Sequence, residues 1–310
     1  MISQQTISGL KPGKYVVAVS GGVDSMVLLD LLRCRSDLSL IVAHANHGIR
    51  DDSHLDEKLV SQFCKSHNIL LVSKELHLGK NTSEETARSA RYNFLQHCRI
   101  EKKANAIITA HHQDDLIETV LINLLRGTGW RGLAPFTDQD NICRPFINTS
   151  KSELYAYAKK RNVPWREDST NTDTRYLRNY VRHKLIPSFE HAEHGWREQF
   201  LRLIRSQTNL RRTITNETNT FFASAKTVHD RSVLTERYMW IMLPPAVAYE
   251  LFQELFRQTL GNSLLRSQAE AALLFAKVAR VAKTMPLSAD WQLRATKREL
   301  IVEPRQSVVS

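Results

Sequence analysis

Residues 19–25 read VSGGVDS and lie between two apolar runs, KYVVA at 14–18 and MVLLDLL at 26–32. A β-branched run, a glycine pair and an apolar run with helical spacing predict a strand, a tight loop and a helix. In such a unit the glycines let the main chain approach a phosphate, and the helix N-terminus presents N–H donors. The stretch therefore predicts a phosphate-binding loop, formed by Ser20, Gly21, Gly22, Val23, Asp24 and Ser25.

Asp24 sets this loop apart from other phosphate loops. A carboxylate beside phosphates is repulsive unless it holds a divalent cation, so the loop predicts Mg²⁺ on Asp24. The lysine-containing pattern G-x-x-x-x-G-K-[ST] occurs nowhere in the chain. A plain glycine turn with a capping aspartate is the structural alternative.

Strand and helix patterns alternate over the first 126 residues. Strands are predicted at 15–20, 38–45, 69–76 and 106–110, with helical spacing between them. This order predicts an α/β fold with a doubly wound, mostly parallel sheet that is covered on both faces. Ligands in such sheets bind beyond the carboxyl ends of the strands.

Polar residues gather where three of these strands end. They lie at 20–22, at 44–48 and at 111–115. One polar strand end would be an ordinary loop, whereas three predict a common cleft.

The third of these ends opens the acidic block HHQDDLIETV at 111–120. Asp114, Asp115 and Glu118 share one helix face at spacings of three and four. The spacing is not that of a zinc helix such as H-E-x-x-H. Acidic residues also serve as ordinary partners of a helix dipole. Beside a phosphate loop, three together favour a cationic substrate or Mg²⁺.

A second glycine pattern, GTGWRG at 127–132, formally matches G-x-G-x-x-G. It follows a predicted helix, whereas a dinucleotide fingerprint follows a strand and opens a helix. We therefore exclude NAD and interpret the pattern as a turn.

The net charge of +11 is unevenly distributed. Residues 1–150 carry 17 Lys and Arg against 16 Asp and Glu, whereas residues 151–212 carry 14 against 7. A dense basic segment favours a nucleic-acid partner, with a solvated basic face as the alternative.

The length of 310 residues favours two domains. We place the boundary after residue 212 and predict a smaller, mainly helical part over 213–310, with a short hairpin at 291–304.

The chain has no apolar run of 18 residues and no signal-peptide pattern, and its four cysteines are isolated. These features predict a cytoplasmic protein without a membrane segment. A homodimer is compatible with the sequence, although no heptad repeat favours one.

Several stretches together resemble the tRNA(Ile)-lysidine synthetase family of the ATP-pyrophosphatase, or PP-loop, superfamily. They are VAVSGGVDSMVLL, AHANHGIR, TARSARYNFL, AHHQDDLIETVLINLLRGTGWRGL, RPFI and WREDSTNTDTRYLRNYVRHKLIP. The resemblance covers roughly residues 14–190. The S-G-G-x-D-S motif defines only the superfamily, whereas the longer blocks are specific to the family.

The resemblance implies an adenine nucleotide α-hydrolase-like fold and a ligase reaction. ATP would adenylate the wobble cytidine of a tRNA-Ile with a CAU anticodon, and free L-lysine would displace AMP to give lysidine. Residues 1–212 would form the catalytic domain, and residues 213–310 would also contact tRNA.

The resemblance also assigns roles to residues. Ala43, His44 and Arg91 would join the loop in binding ATP. The catalytic residues would be Asp24, Asp114, Asp115 and Glu118, the last three near lysine. Arg178, Arg182 and Lys184 would contact tRNA.

Two alternatives remain. A tRNA thiolase of the same superfamily would deliver sulfur instead of lysine, but commonly uses paired or catalytic cysteines. A non-catalytic tRNA-binding relative would be expected to lack Asp24 or the acidic block, and both are present.

Overall fold

The computed structural model describes residues 2–46, 53–76, 82, 84–136, 141–167, 177–229, 232–261 and 264–305. The chain divides into two compact units, Met1–Thr208 and Asn209–Ser310. Parts of two stretches named above lie outside the described residues: the end of the second polar strand end, at 47–48, and residues 168–176 of the stretch WREDSTNTDTRYLRNYVRHKLIP.

A five-stranded parallel sheet organises unit 1. Its strands are β1 (Gly13–Ala18), β2 (Leu38–Asn46), β3 (Leu70–Glu75), β4 (Ala106–Ile108) and β5 (Ile142–Cys143). Their spatial order is β3-β2-β1-β4-β5, so the chain moves outward on both sides of β1. This confirms the predicted doubly wound sheet and places its switch point between β1 and β4.

Helices cover both faces of the sheet. The first five are α1 (Val23–Leu32), α2 (Ser53–Ser66), α3 (Glu84–Glu101), α4 (Gln113–Leu125) and α5 (Lys151–Arg161). Successive strand residues point to opposite faces. Val17 accordingly packs in the core that includes α1, α2 and α5, whereas Val16 packs in the core that includes α3. Both side chains are fully buried.

Helix α4 has a separate apolar environment. Beyond α5 the chain forms α6 (Leu177–Tyr180), a π-helical turn (Val181–Leu185), α7 (Ile186–Ala192) and α8 (Trp196–Ala225). Ile117 and Leu121 of α4 pack with Val181, Ile186 and Leu201. The basic segment is thereby attached to the helix that carries the acidic block.

Unit 2 has its own core around a second five-stranded sheet, which is antiparallel. Its strands are β6 (Lys226–His229), β7 (Ser232–Glu236), β8 (Thr284–Pro286), β9 (Trp291–Ala295) and β10 (Glu299–Pro304), in the order β6-β7-β10-β9-β8. Its helices are α9 (Arg237–Met242), α10 (Pro245–Leu260) and α11 (Arg266–Val278). The predicted hairpin is β9 and β10, whereas the other three strands were not predicted.

Across the described residues, no helix combines the length and apolar character needed to cross a membrane.

Arg237 holds two parts of unit 2 together. Its guanidinium donates to the carbonyl oxygens of Ala276 at 2.8 Å, Ala279 at 2.5 Å and Thr296 at 3.1 Å. The first two end α11, and the third lies in the turn between β9 and β10. The residue is only 9% exposed, so the arginine satisfies acceptors that have little access to water.

We expect Arg237→Met to destabilise unit 2 by roughly 2–4 kcal/mol, because buried carbonyl groups lose their donors. Chemical denaturation monitored by tryptophan fluorescence would measure the loss. Arg298→Met removes an exposed charge in the same unit and serves as the control. Equal stability of the two variants would contradict this role of Arg237.

Candidate functional site

The loop after β1 is held in shape by its own hydroxyl groups. Ser25 Oγ accepts from the backbone N of Ser20 at 3.1 Å and donates to the carbonyl of Gly22 at 3.0 Å. Gly21 has a φ of +96°, and a Cβ at this position would lie 3.3 Å from the Cβ of Asp56. The glycine is therefore required by both backbone conformation and space. Helix α1 begins after Gly22, and within the described chain no side chain caps it.

Asp24 lies in the first turn of α1 and is paired with a lysine from α5. Lys151 Nζ is 2.8 and 2.6 Å from its two carboxylate oxygens. His112 Nε2 lies 3.6 Å from the same carboxylate. Burial raises the pKa of Asp24, but the hydrogen bonds and charges of His112 and Lys151 outweigh this effect and lower it.

The N-terminus of α4 carries the next polar group. His112 Nδ1 accepts from the backbone N of Asp115 at 3.4 Å, and Asp115 Oδ2 accepts from the backbone N of His112 at 3.1 Å. With the ring neutral, this reciprocal pair is a capping box with histidine at the N-cap; when the ring is protonated, only the bond from the backbone N of His112 to Asp115 remains. It fixes His112 between Asp24 and the acidic block. Burial lowers the pKa of His112, but the contact with Asp24 and the charges of Asp115 and Asp24 raise it overall.

Asp114 connects three elements. Its carboxylate accepts from the backbone N of Lys151 at 2.7 Å and from Arg197 Nη1 of α8 at 2.7 Å. Burial raises the pKa of Asp114, but these hydrogen bonds and the charge of Arg197 lower it overall. Lys151 therefore contacts Asp24 through its side chain and Asp114 through its main chain.

Glu118 lies one turn further along α4 and is only 1% exposed. Arg182 donates to it from Nε at 2.6 Å and from Nη2 at 3.0 Å, and Arg178 donates from Nε at 3.1 Å. Two of the residues expected to contact tRNA thus have guanidinium groups bound to a buried carboxylate. Lys184, the third, is exposed.

Two cavities meet at the loop and share Ser20, Asp24 and Asp56. The first, of about 360 Å³, is also lined by Ala43, His44, Arg91 and His111. The second, of about 510 Å³, is also lined by His112, Asp114, Glu118, Lys151, Arg182 and Arg197. Most of the predicted ATP-binding residues thus line the first cavity together with Asp115, whereas Asp114 and Glu118 line the second.

His111 is a neutral component of the first cavity. Burial, together with the charges of Arg88, Arg144 and Arg91, lowers its pKa to about 3, against the opposing charge of Asp115. Its Nδ1 lies 2.8 Å from Thr109 Oγ1. The first cavity therefore presents a neutral ring beside Thr109.

The residues present fit Mg²⁺ that arrives with a nucleotide. Among the described residues, no group of three or more His, Cys, Asp or Glu side chains is placed to hold a metal ion. Asp24 offers carboxylate oxygen atoms beside the loop. Because Mg²⁺ in nucleotide sites takes one or two carboxylates and completes its shell with phosphate and water oxygens, one such residue is sufficient.

Three further residues of the second cavity were missed by sequence analysis. Lys151, Arg197 and Arg166 all line it, and Arg166 Nε lies 2.9 Å from Asp56 Oδ1. For Lys151, the sequence signal that could have been used is the short strand β5. A fifth parallel strand carries the chain to the same edge of the sheet, just before Lys151. Arg197 carried no such signal, since its partner Asp114 lies 83 residues away.

The profile of the PP-loop domain family matches residues 2–189. The chain is 39% identical over 221 residues to a tRNA(Ile)-lysidine synthase of Thermotoga maritima, covering 67% of this chain and 53% of that protein. A tRNA(Ile)-lysidine synthase of Exiguobacterium sibiricum is 38% identical over 187 residues, covering 59% and 45%. The chain spans about half the length of these relatives.

A solved structure of similar fold is the U34-tRNA thiolase of Methanococcus maripaludis with its [4Fe–4S] cluster. The TM-score is 0.56 at 19% identity, covering 67% of this chain and 76% of that one. This likeness supports the fold alone.

The Glu118 cluster generates a stability prediction. The carboxylate is 1% exposed, whereas the side chains of Arg178 and Arg182 are 26% and 33% exposed. Arg178→Met with Arg182→Met should therefore cost about 3–5 kcal/mol, because a buried charge loses its partners, and Glu118→Gln only about 1–3 kcal/mol. Urea denaturation measures both losses, with Arg202→Met on α8 as an exposed control. If Glu118→Gln lost more unfolding free energy than the double arginine variant, Glu118 could not be the least hydrated residue of this cluster.

His112 should make stability depend on pH. Because its folded pKa is raised, its contribution is complete below the ordinary value of 6.5 and is lost as the pH rises through the folded pKa. His112→Asn keeps an N-cap side chain but removes the charge. The difference in unfolding free energy between the native chain and this variant should be largest below the ordinary pKa of 6.5 and should shrink as the pH rises above it. Urea titrations below and above this value would test it, and a difference independent of pH would refute it.

Proposed function

We propose that this chain, which belongs to the PP-loop domain family, joins lysine to the wobble cytidine of a tRNA-Ile with a CAU anticodon. ATP adenylates the C2 oxygen of the cytidine with release of pyrophosphate, and the ε-amine of lysine then attacks C2 and displaces AMP. The observation that carries the proposal is the juxtaposition of the phosphate loop with a second cavity lined by paired carboxylates and cations, joined to the loop through Lys151 and His112. The tRNA(Ile)-lysidine synthases that match the chain support the choice of substrates.

The first cavity suits the nucleotide. Ala43, His44 and the neutral His111 line it, and His44 is held by a 2.9 Å contact between its Nδ1 and the carbonyl of Val19. The phosphates would then reach residues 20–25 and the start of α1, whose dipole favours anions. Asp24 would hold Mg²⁺, which supplies charge neutralisation of the departing pyrophosphate.

The second cavity suits a cationic amino acid. Asp114 and Glu118 line it, and the lowered pKa of Asp114 keeps that carboxylate charged. Asp115, the next residue of the first turn of α4, lines the first cavity. A permanently charged carboxylate holds an ammonium group well but is a weak base. We therefore assign Asp114 to positioning lysine, while the amine that attacks must first lose its proton.

The basic segment suits the anticodon stem-loop. Lys184 is exposed, and Arg178 and Arg182 lie beside it on the same short helical stretch. The excess of seven positive charges over residues 151–212 favours phosphate contacts. We propose contact with tRNA for residues 213–310 as well, and a cytoplasmic location where both substrates are found. The homodimer stays a prediction from the sequence.

Two of the four cysteines, Cys64 and Cys98, are poorly suited to sulfur transfer. Cys64 and Cys98 are buried, and burial raises the pKa of Cys64 to about 11 and raises that of Cys98 as well. A raised pKa reduces the thiolate that sulfur transfer requires.

Labelled lysine, ATP, Mg²⁺ and tRNA-Ile with a CAU anticodon provide the test. We expect label to enter the tRNA with one AMP and one pyrophosphate released, and Asp24→Asn to reduce the rate on the order of 100-fold or more. Asp290→Asn, an exposed carboxylate in unit 2, should retain the rate. Pyrophosphate release without label in the tRNA would overturn the lysine assignment and favour another nucleophile.

A further inference from the structure

Lys151 occupies a position that no phosphate-loop motif predicts. It is the first residue of α5, whose start is fixed by a capping box in which Ser150 Oγ accepts from the backbone N of Glu153 at 3.3 Å. The backbone N of Lys151 is fixed by its 2.7 Å bond to Asp114. Because the main chain is held at both points, the side chain is the part of Lys151 that can change partners.

The lysine ammonium and a metal ion would compete for the same atoms. Lys151 Nζ contacts both oxygens of Asp24, at 2.8 and 2.6 Å, and these are the oxygens that Asp24 offers to Mg²⁺. Two cations at one carboxylate repel each other, so coordination by Asp24 requires the ammonium to move. The side chain is 36% exposed and extends into the second cavity, so it has room to do so.

A nucleotide bound to the loop of residues 20–25 would bring phosphate oxygens beside Asp24, the carboxylate that Lys151 contacts. The neighbouring arginines of the cavity are engaged with carboxylates: Arg166 with Asp56, Arg197 with Asp114, and Arg182 with Glu118. A lysine has three donors on a flexible stem and forms a point contact with phosphate without a fixed geometry.

We propose that Lys151 is a phosphate-binding residue. It neutralises Asp24 before a nucleotide arrives, and it transfers to a non-bridging phosphate oxygen when Asp24 coordinates Mg²⁺. The loop after β1 thus obtains its side-chain cation from α5, about 130 residues further along the chain. The proposal rests on nucleotide binding within the proposed function but does not depend on lysine transfer.

Equilibrium binding of ATP, without tRNA or lysine, tests this exchange. The full chain is compared as the native protein, Asp24→Asn, Lys151→Met and the double variant, each with excess Mg²⁺ and with EDTA. In EDTA, Asp24→Asn should bind ATP about tenfold more tightly than the native protein, because Lys151 is released, and the double variant should lose this gain. With Mg²⁺, Lys151→Met should weaken binding about tenfold, whereas Lys151→Arg should retain most of it.

The controls separate a specific contact from a general loss of charge. Lys159→Met removes an exposed cation from the same helix and should leave ATP binding unchanged. Thermal melting without nucleotide verifies that each variant is folded, and the double variant, which contains no unpaired charge, keeps the comparison available if Lys151→Met is unstable. Equal ATP affinity of Asp24→Asn and the double variant in EDTA would overturn the proposal, as would native affinity of Lys151→Met for Mg²⁺-ATP. If the ATP-binding results contradict the proposal but lysine is still incorporated into tRNA, only the role of Lys151 is rejected.

Discussion

Pairing of buried or half-buried carboxylates with cations from distant parts of the chain is the constraint on which the cleft depends. Asp24 is paired with Lys151, Asp114 with Arg197, and Glu118 with Arg178 and Arg182. A carboxylate removed from water is costly unless a cation and hydrogen bonds compensate for it. Each pair therefore fixes the segment that supplies its cation, and the three pairs attach α5, the stretch around the π-helical turn and α8 to the edge of the sheet.

These pairs leave the cleft close to electrically balanced, which bears on how charged substrates enter. A nucleotide brings negative charge to the Asp24 side, and an ammonium brings positive charge to the acidic side. Both gain contacts only where existing pairs separate. Binding in such a cleft exchanges one set of ion pairs for another. The affinity therefore depends on the difference in free energy between the ion pairs that are broken and those that are formed.

The features that were predicted correctly from the sequence are those that residues close together in the chain determine. Alternating apolar runs located β1 to β4, and SGGVDS identified the loop, because glycine and helix-start signals act over a few residues. Lys151, Arg166 and Arg197 were missed as site residues, since their partners are 83 to 127 residues away in sequence. The strands β6, β7 and β8 were missed for another reason. They are short, and their pairing partners rather than their own apolar spacing define them.

The π-helical turn Val181–Leu185 has a consequence for how the basic segment tolerates change in length. A π turn holds one residue more than the α turn that it replaces, and each α-helical residue advances the helix by about 100°. Arg178 precedes this turn and Arg182 lies within it, yet both reach the same carboxylate. A deletion between the two arginines would shorten their spacing from four residues to three and rotate one guanidinium relative to the other by about 100°. The spacing between these two arginines is therefore as constrained as their identity, and homologous chains should vary in length on either side of this pair but not between its members.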